Sequence, residues 1–293
     1  MSCSACPATF WDEALRLGGW ASTDVPESRD GLIGKAIYEH HHGFQTRYLV
    51  TGGNQGLGHE TLRILARTNK YHLVVAARSQ SKADEAVKAI ASETGNVSDL
   101  TPVFIDLDSD DTIFNAAKIV EEKFGNLDVL VNNAGINRSP KPNATLREDF
   151  RAVFETNVFG VAVMNNTFLP LIRKSTYPQR RIVTVTSGLG MFGVALTESS
   201  PYNAWNYKFP VYRSSKSAVN MISAVDMIAL REENIATVLV EPGYCRTAFG
   251  GFQGHKDADE GGKVIARAAV EGDNRDLFLK IIDDEGKHAQ FGW

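Results

Sequence analysis

The sequence is poor in the features that would mark several functional classes. Three cysteines in 293 residues, Cys3, Cys6 and Cys245, make no disulfide framework and suit a reducing compartment. Cys3-x-x-Cys6 is half of a zinc pattern, but no second C-x-x-C or suitably spaced histidine pair completes it, so no metal site is expected. His40-His41-His42 cannot all face one ion from a regular element and reads as a polar connector. No apolar run approaches the ~18 residues needed to cross a bilayer. The first residues lack a basic segment followed by an apolar core, since Asp12 and Glu13 fall where that core would be. A cytoplasmic location and no membrane partner are therefore expected. Basic residues form no concentrated tract: 31 Lys and Arg against 35 Asp and Glu leave a net charge of −4. That argues against nucleic acid as the main partner.

What the sequence has is alternation. Apolar runs occur at Tyr48–Val50, His72–Ala77, Thr101–Ile105, Leu127–Asn132, Arg181–Thr186 and Ile235–Glu241. Several are nearly continuous rather than alternating, as expected of strands covered on both faces. Stretches of helical period lie between them, at Leu57–Thr68, Ser81–Glu93, Asp110–Phe124, Leu146–Ile172 and Tyr212–Arg231. Repeated strand–helix units of this kind predict a doubly wound parallel α/β sheet with right-handed crossovers. Without repeats, low-complexity segments or Pro/Ser-rich linkers, residues 47–293 read as one domain. Residues 1–46 lack the pattern and form an N-terminal extension whose role is not readable.

In such sheets ligands sit beyond the C-terminal strand ends. The first strand runs into Thr51-Gly-Gly-Asn-Gln-Gly-Leu-Gly58. Gly52 permits a tight turn, Gly56 lets backbone approach a ligand, and Gly58 lets the following helix pack tightly. This turn aims backbone N–H groups and a helix N-terminus at an anion, most often a dinucleotide pyrophosphate. The second strand ends in Ala77-Arg78, where an acid would suit the ribose of NAD and an arginine suits a 2′-phosphate, which favours NADP(H) over NAD(H). Asp106, after the third strand, suits either an adenine amino group or a helix N-terminus. Asn132-Asn133-Ala134-Gly135 follows the fourth strand, Ser187 the fifth, and Glu241-Pro-Gly-Tyr-Cys-Arg-Thr247 the sixth. Tyr212 and Lys216 lie four apart on a helix behind Pro210, so phenol and ammonium share a face. The ammonium is expected to pull the phenol down toward neutrality and make Tyr212 a usable acid or base.

Taken together, Thr51–Gly58, Asn132–Gly135, Asn157, Ser187, Tyr212-x-x-x-Lys216 and Pro242-Gly243 with Thr247 resemble the short-chain dehydrogenase/reductase family, in the family's order, across about residues 47–250. Leu277 to Trp293 more loosely resembles the end of carbonyl-reductase-like members. The resemblance implies a Rossmann-type domain with about seven parallel strands and helices on both faces. It implies that Tyr212 donates a proton to a carbonyl oxygen, that Ser187 hydrogen-bonds that oxygen, that Lys216 holds the nicotinamide ribose, and that Asn157 positions a water leading toward Lys216. Implied cofactor contacts are Gly52, Asn54, Gly56, Leu57, Gly58, Arg78, Asp106, Asn133, Tyr212, Lys216, the Cys245 backbone and Thr247.

Two features depart from the family pattern. The Ser187–Tyr212 interval is longer than usual by about a dozen residues, and it contains Met191, Phe192, Tyr202, Trp205, Tyr207 and Phe209. Residues 188–211 read as an insertion walling a substrate pocket; by resemblance, such an insertion favours a monomer over a dimer or tetramer. The other departure is the extension at residues 1–46. The expected activity is NADP(H)-dependent reduction of a ketone or aldehyde, or oxidation of the matching alcohol, on a moderately apolar substrate such as a secondary metabolite. A non-turnover cofactor-binding sensor or scaffold is the alternative, as is a related enzyme of double-bond reduction or epimerisation.

Overall fold

The computed structural model describes residues 45–96, 99–285 and 288–290. The readings of Cys3, Cys6, His40–His42 and the N-terminal extension as far as residue 44 lie outside the described residues. Among the described residues the sheet has eight strands: β1 (Thr46–Thr51), β2 (Tyr71–Ala77), β3 (Leu100–Phe104), β4 (Val129–Asn132), β5 (Arg181–Val185), β6 (Ala236–Val240), β7 (Lys280–Ile282) and β8 (His288–Gln290). Their order is β3-β2-β1-β4-β5-β6-β7-β8. The first seven pair in parallel, and β8 returns antiparallel to β7. This is a doubly wound, Rossmann-type sheet. The chain reverses its direction of winding between β1 and β4, the place where such folds open a crevice.

Helices are α1 (Gly56–Ala66), α2 (Gln80–Thr94), α3 (Asp110–Phe124), α4 (Leu146–Phe154), α5 (Gly160–Lys174), α6 (Phe192–Leu196), α7 (Pro210–Ala229) and α8 (Ala258–Val270). The central strands are largely apolar because each face has its own core. Tyr48, Val50, Val129 and Val131 pack with Leu62, Leu65, Ile90 and Ile265 from α1, α2 and α8. The residues between them in sequence, Leu49 and Leu130, pack with Ile113, Val120, Met164 and Phe168 from α3 and α5. Each such fully buried aliphatic or aromatic side chain contributes about 1.5–3 kcal/mol by leaving water.

Three differences from the sequence reading have clear causes. The helical stretch 146–172 is interrupted by a π turn at Glu155–Phe159, where the Gly160 N–H bonds the Glu155 carbonyl. Gly160 is required there, since a Cβ would sit 2.5 Å from the Leu107 carbonyl oxygen. Helix α8 escaped the periodic reading because Gly261 and Gly262 look like breakers. A Cβ on either would collide, at 2.6 Å from Cys245 Sγ and from Glu60 Cβ respectively, so the glycines serve close packing. The β7 and β8 strands are three residues each, too short to show a period.

Candidate active site

One cleft of about 910 Å³ follows the C-terminal ends of the strands, lined by residues directly after β1 to β7. Its floor begins at the glycine turn. Gly52 takes φ +67° and Gly56 φ +55°, conformations that favour glycine. A Cβ on Gly58 would lie 2.4 Å from the Gly52 carbonyl oxygen and 2.5 Å from Asn133 Nδ2, so its packing partners are the turn itself and the β4 end. Thr51 and Asn133 lock the two strand ends together. The Asn133 side chain donates to the Thr51 carbonyl at 2.8 Å, and the Thr51 hydroxyl accepts from the Asn133 and Ala134 amides at 3.0 Å each. Asn132 donates to Asn165 of α5 at 2.7 Å. Both asparagines thus tie the β4 end to its neighbours.

Helix α1 opens on this floor with no side-chain cap and no acid in its first turn. The first N–H groups of a helix lack intrahelical acceptors, so an uncapped, acid-free start facing a cleft suits an anion such as a pyrophosphate. Asn54, Gly56 and Leu57 line the cleft there. Arg78 is exposed, lines the same cleft and is joined by Lys82 from the first turn of α2. Ala77 before it is buried. Two cations and no acid at that strand end fit a 2′-phosphate. Asp106 also lines the cleft; its carboxylate accepts the Asp108 N–H at 3.3 Å. The cap of α3 is Ser109, so Asp106 is not that helix's N-cap. Cys245 and Thr247 are buried cleft residues, and the Thr247 side chain lies 3.6 Å from where a Gly56 Cβ would stand. Burial pushes the Cys245 thiol up to about 11, so it stays protonated.

Helix α7 brings Tyr212 and Lys216 to the middle of the cleft behind β5. Pro210 occupies its first turn, as the sequence suggests. The Tyr212 phenol faces the Ser187 side chain, and Lys216 Nζ lies 5.7 Å from the Tyr212 ring centroid. Lys216 Nζ donates to the Val185 carbonyl at 2.8 Å. Burial lowers Lys216 to about 8. Burial also raises Tyr212 above its ordinary value; the facing Ser187 hydroxyl acts in the opposite direction and the nearby Glu241 carboxylate adds to the rise. This differs from the expected depression by Lys216. The ammonium is itself weakened by burial and faces a backbone carbonyl, so desolvation of the phenol prevails.

Asn157 lies in the π turn, 1% exposed, and does not line the cleft. Its Oδ1 accepts the Ile136 N–H and its Nδ2 donates to the Ile136 carbonyl, both at 2.8 Å, with a further 3.1 Å contact to Ser215 Oγ on α7. It joins the Gly135–Ile136 segment to the helix carrying Tyr212 and Lys216. The widened turn that aims it is invisible to a 3.6-residue period.

From the 188–211 stretch, Met191, Tyr202, Tyr207 and Phe209 line the cleft beside Tyr212, while Phe192 and Trp205 do not and are exposed. Phe249 supplies an unanticipated wall residue, its ring 5.5 Å from the Tyr212 ring and tilted 60°. Glu241, at the end of the sixth apolar run, is a cleft residue as well. Burial and the Asp284 carboxylate raise its pKa, and the neighbouring Gly188 and Gly243 amides act in the opposite direction. Among the described residues, no group of three or more His, Cys, Asp or Glu is placed to hold a metal ion, and no helix is long and apolar enough to cross a membrane.

Residues 46–258 match the short chain dehydrogenase family. The chain belongs to that family. It is similar to the short-chain dehydrogenase anuI of Penicillium roqueforti, 61% identical over 245 residues that cover 84% of this chain and 96% of that one. It is 27% identical to human carbonyl reductase [NADPH] 1 over 280 residues, covering 83% and 94% of the two chains. Among solved structures, the NADPH-bound carbonyl reductase from chicken fatty liver superposes with a TM-score of 0.71 at 26% identity, covering 85% of this chain and 100% of that one. As a short-chain dehydrogenase the chain is an oxidoreductase with a carbonyl-reductase-like fold.

Proposed function

We propose that the enzyme reduces a ketone or aldehyde, or oxidises the corresponding alcohol, on a moderately apolar small molecule, using NADP(H) in preference to NAD(H). The observation that carries this reading is the placing of the Tyr212 phenol against the Ser187 side chain and beside Lys216, in the same cleft as the uncapped start of α1. Bound NADPH would supply the hydride. Gly52, Asn54, Gly56, Leu57 and Gly58 would hold its pyrophosphate region, Arg78 its 2′-phosphate, Asp106 and Asn133 its adenosine half, and Lys216, Cys245 and Thr247 its nicotinamide half. The two relatives whose names or descriptions carry NADPH support the cofactor reading.

Ser187 would orient the substrate oxygen and Tyr212 would give it a proton. A phenol raised above its ordinary value is fully protonated near neutrality, the form that reduction requires. Positioning the donor before reaction stabilises the developing alkoxide. Asn157 would act through the backbone it fixes and Ser215 rather than by touching substrate. The cleft wall of Met191, Tyr202, Tyr207, Phe209 and Phe249 favours an apolar substrate face. A cytoplasmic monomer acting in secondary metabolism is the setting we infer. The test is a panel of ketones, aldehydes and quinones followed by NADPH absorbance; turnover of some members supports the reading, and none across the panel counts against it.

A further inference from the structure

Arg213 follows Tyr212 directly, yet its side chain turns away from the reacting groups. It is buried, 8% exposed, in a region where a solvated arginine would be ordinary. Its Nε donates to the Tyr207 carbonyl at 2.8 Å, one terminal nitrogen to the Leu189 carbonyl at 3.1 Å, and the other to the Tyr202 carbonyl. One guanidinium therefore grips three backbone oxygens at both ends of the 188–211 stretch. The five donors of a planar fork make this possible where a lysine could satisfy fewer in fixed directions.

The two ends depend on it unequally. The Gly188–Gly190 turn has independent anchors, since Ser217 Oγ donates to the Gly190 carbonyl at 2.7 Å and a Cβ on Gly190 would meet Lys216 Cβ at 2.7 Å. The distal half is ordered largely from within. Asn203, 4% exposed, donates to the Glu198 and Ser200 carbonyls at 2.9 Å, and its own carbonyls accept from Asn206 and Tyr207. Its tie to α7 through hydrogen bonds is Arg213, beside Phe209, a non-glycine residue at φ +33°. Tyr202, Tyr207 and Phe209 are the cleft-lining aromatics of this half.

We propose that Arg213 is a positioning residue that fixes the aromatic wall to the helix carrying Tyr212 and so sets which substrates the cleft accepts. Wall and proton donor then ride on one rigid element, and the wall's distance from Tyr212 does not depend on loop fluctuations. The specificity arm of this inference rests on the proposed reductase reading; the structural arm does not.

The test compares wild type with Arg213→Ala and Arg213→Lys in the full chain. Limited chymotrypsin digestion is expected to cut at Tyr202, Trp205 or Tyr207 at least tenfold faster in Arg213→Ala, with cleavage elsewhere unchanged and methylguanidinium restoring protection. With acetophenone and propanal as probes, KM for acetophenone should rise at least tenfold while kcat for propanal stays within threefold. Arg213→Lys should fall between. If Arg213→Ala does not fold, Arg213→Lys carries the same readouts. Unchanged cleavage at these sites, cleavage spread evenly over the chain, or an equal loss of kcat on both probes would overturn the proposal. If wild type turns over neither probe, a ketone and an aldehyde found in the panel replace them; if the whole panel fails, the reductase reading fails on its own and digestion still decides the role of Arg213.

Discussion

Thr51 and Asn133 hold each other twice across the β1–β4 gap, side chain to backbone in both directions, at 2.8 and 3.0 Å. The Thr51 hydroxyl also accepts the Ala134 amide. Thr51→Val keeps the shape and removes the acceptor for both amides. The Asn133 amide keeps the Val131 carbonyl at 3.1 Å, while leaving the Ala134 amide unpaired costs about 1–3 kcal/mol, so the variant should lose about 1–3 kcal/mol in urea unfolding. Its NADPH affinity should fall with the misplaced turn, and Thr51→Ser should restore most of both. A Thr51→Val protein as stable as wild type would show that the interlock contributes little.

Arg78 and Lys82 are the cations at the β2 end of the cleft, with no acid at Ala77. Arg78→Asp should weaken NADPH at least about tenfold, as expected when a charge-assisted phosphate contact worth 1.5–3 kcal/mol is removed. NADH binding should change little or improve. Calorimetric titration of both cofactors checks this; an unchanged ratio removes the argument for NADP(H).

Asn157→Ala would strip the Ile136 N–H and carbonyl of partners in a partly buried setting. A loss of about 2 kcal/mol in stability is expected, together with reduced turnover as Gly135–Ile136 shifts against α7. Asn157→Asp keeps the acceptor to Ile136 N–H but opposes a carboxylate to the carbonyl, so it should not rescue. Thermal unfolding and turnover assayed side by side distinguish this anchoring role from a purely chemical one, which would leave the melting point unchanged.

Lys216 is held at about 8 in the folded protein against an ordinary 10.5. Between those values the unfolded chain binds the proton more tightly, so raising the pH through this window releases the penalty of a buried charge and stabilises the fold. Lys216→Met lacks that titration. The stability of wild type relative to Lys216→Met should therefore rise from about pH 8 to 10.5, and be flat below about pH 7. Urea unfolding across this range measures it. A difference that falls with pH would mean Lys216 is stabilised as a cation.

The sheet was legible because most of the six longer parallel strands are buried apolar runs, and the helical period over Asp110–Phe124 matches α3, which has an acidic first turn and ends at Gly125. The strand-end rule then located the cleft, since Gly52, Arg78, Asp106, Asn133, Ser187 and Thr247 all follow strands and all line it. Other features depend on long-range contact. Gly261 and Gly262 break a helical pattern unless one knows that α1 lies against them. The π turn around Asn157 has no distinct period. Phe249 lies 37 positions from Tyr212 in sequence, and nothing local announces that their rings meet. The direction of the Tyr212 shift also required the structure: spacing showed a nearby ammonium, while the degree of burial that outweighs it depends on the packed fold.

The central claim is that Tyr212 donates the proton in carbonyl reduction, and Tyr212→Phe tests it most directly. The substitution removes one hydroxyl and keeps the ring that packs on Phe249. With a carbonyl substrate identified from the panel, single-turnover NADPH oxidation should fall by at least about 10²–10⁴-fold, the usual contribution of a positioned acid, while NADPH binds within about threefold of wild type. Retained carbonyl reduction by a folded, NADPH-saturated Tyr212→Phe protein would contradict the account.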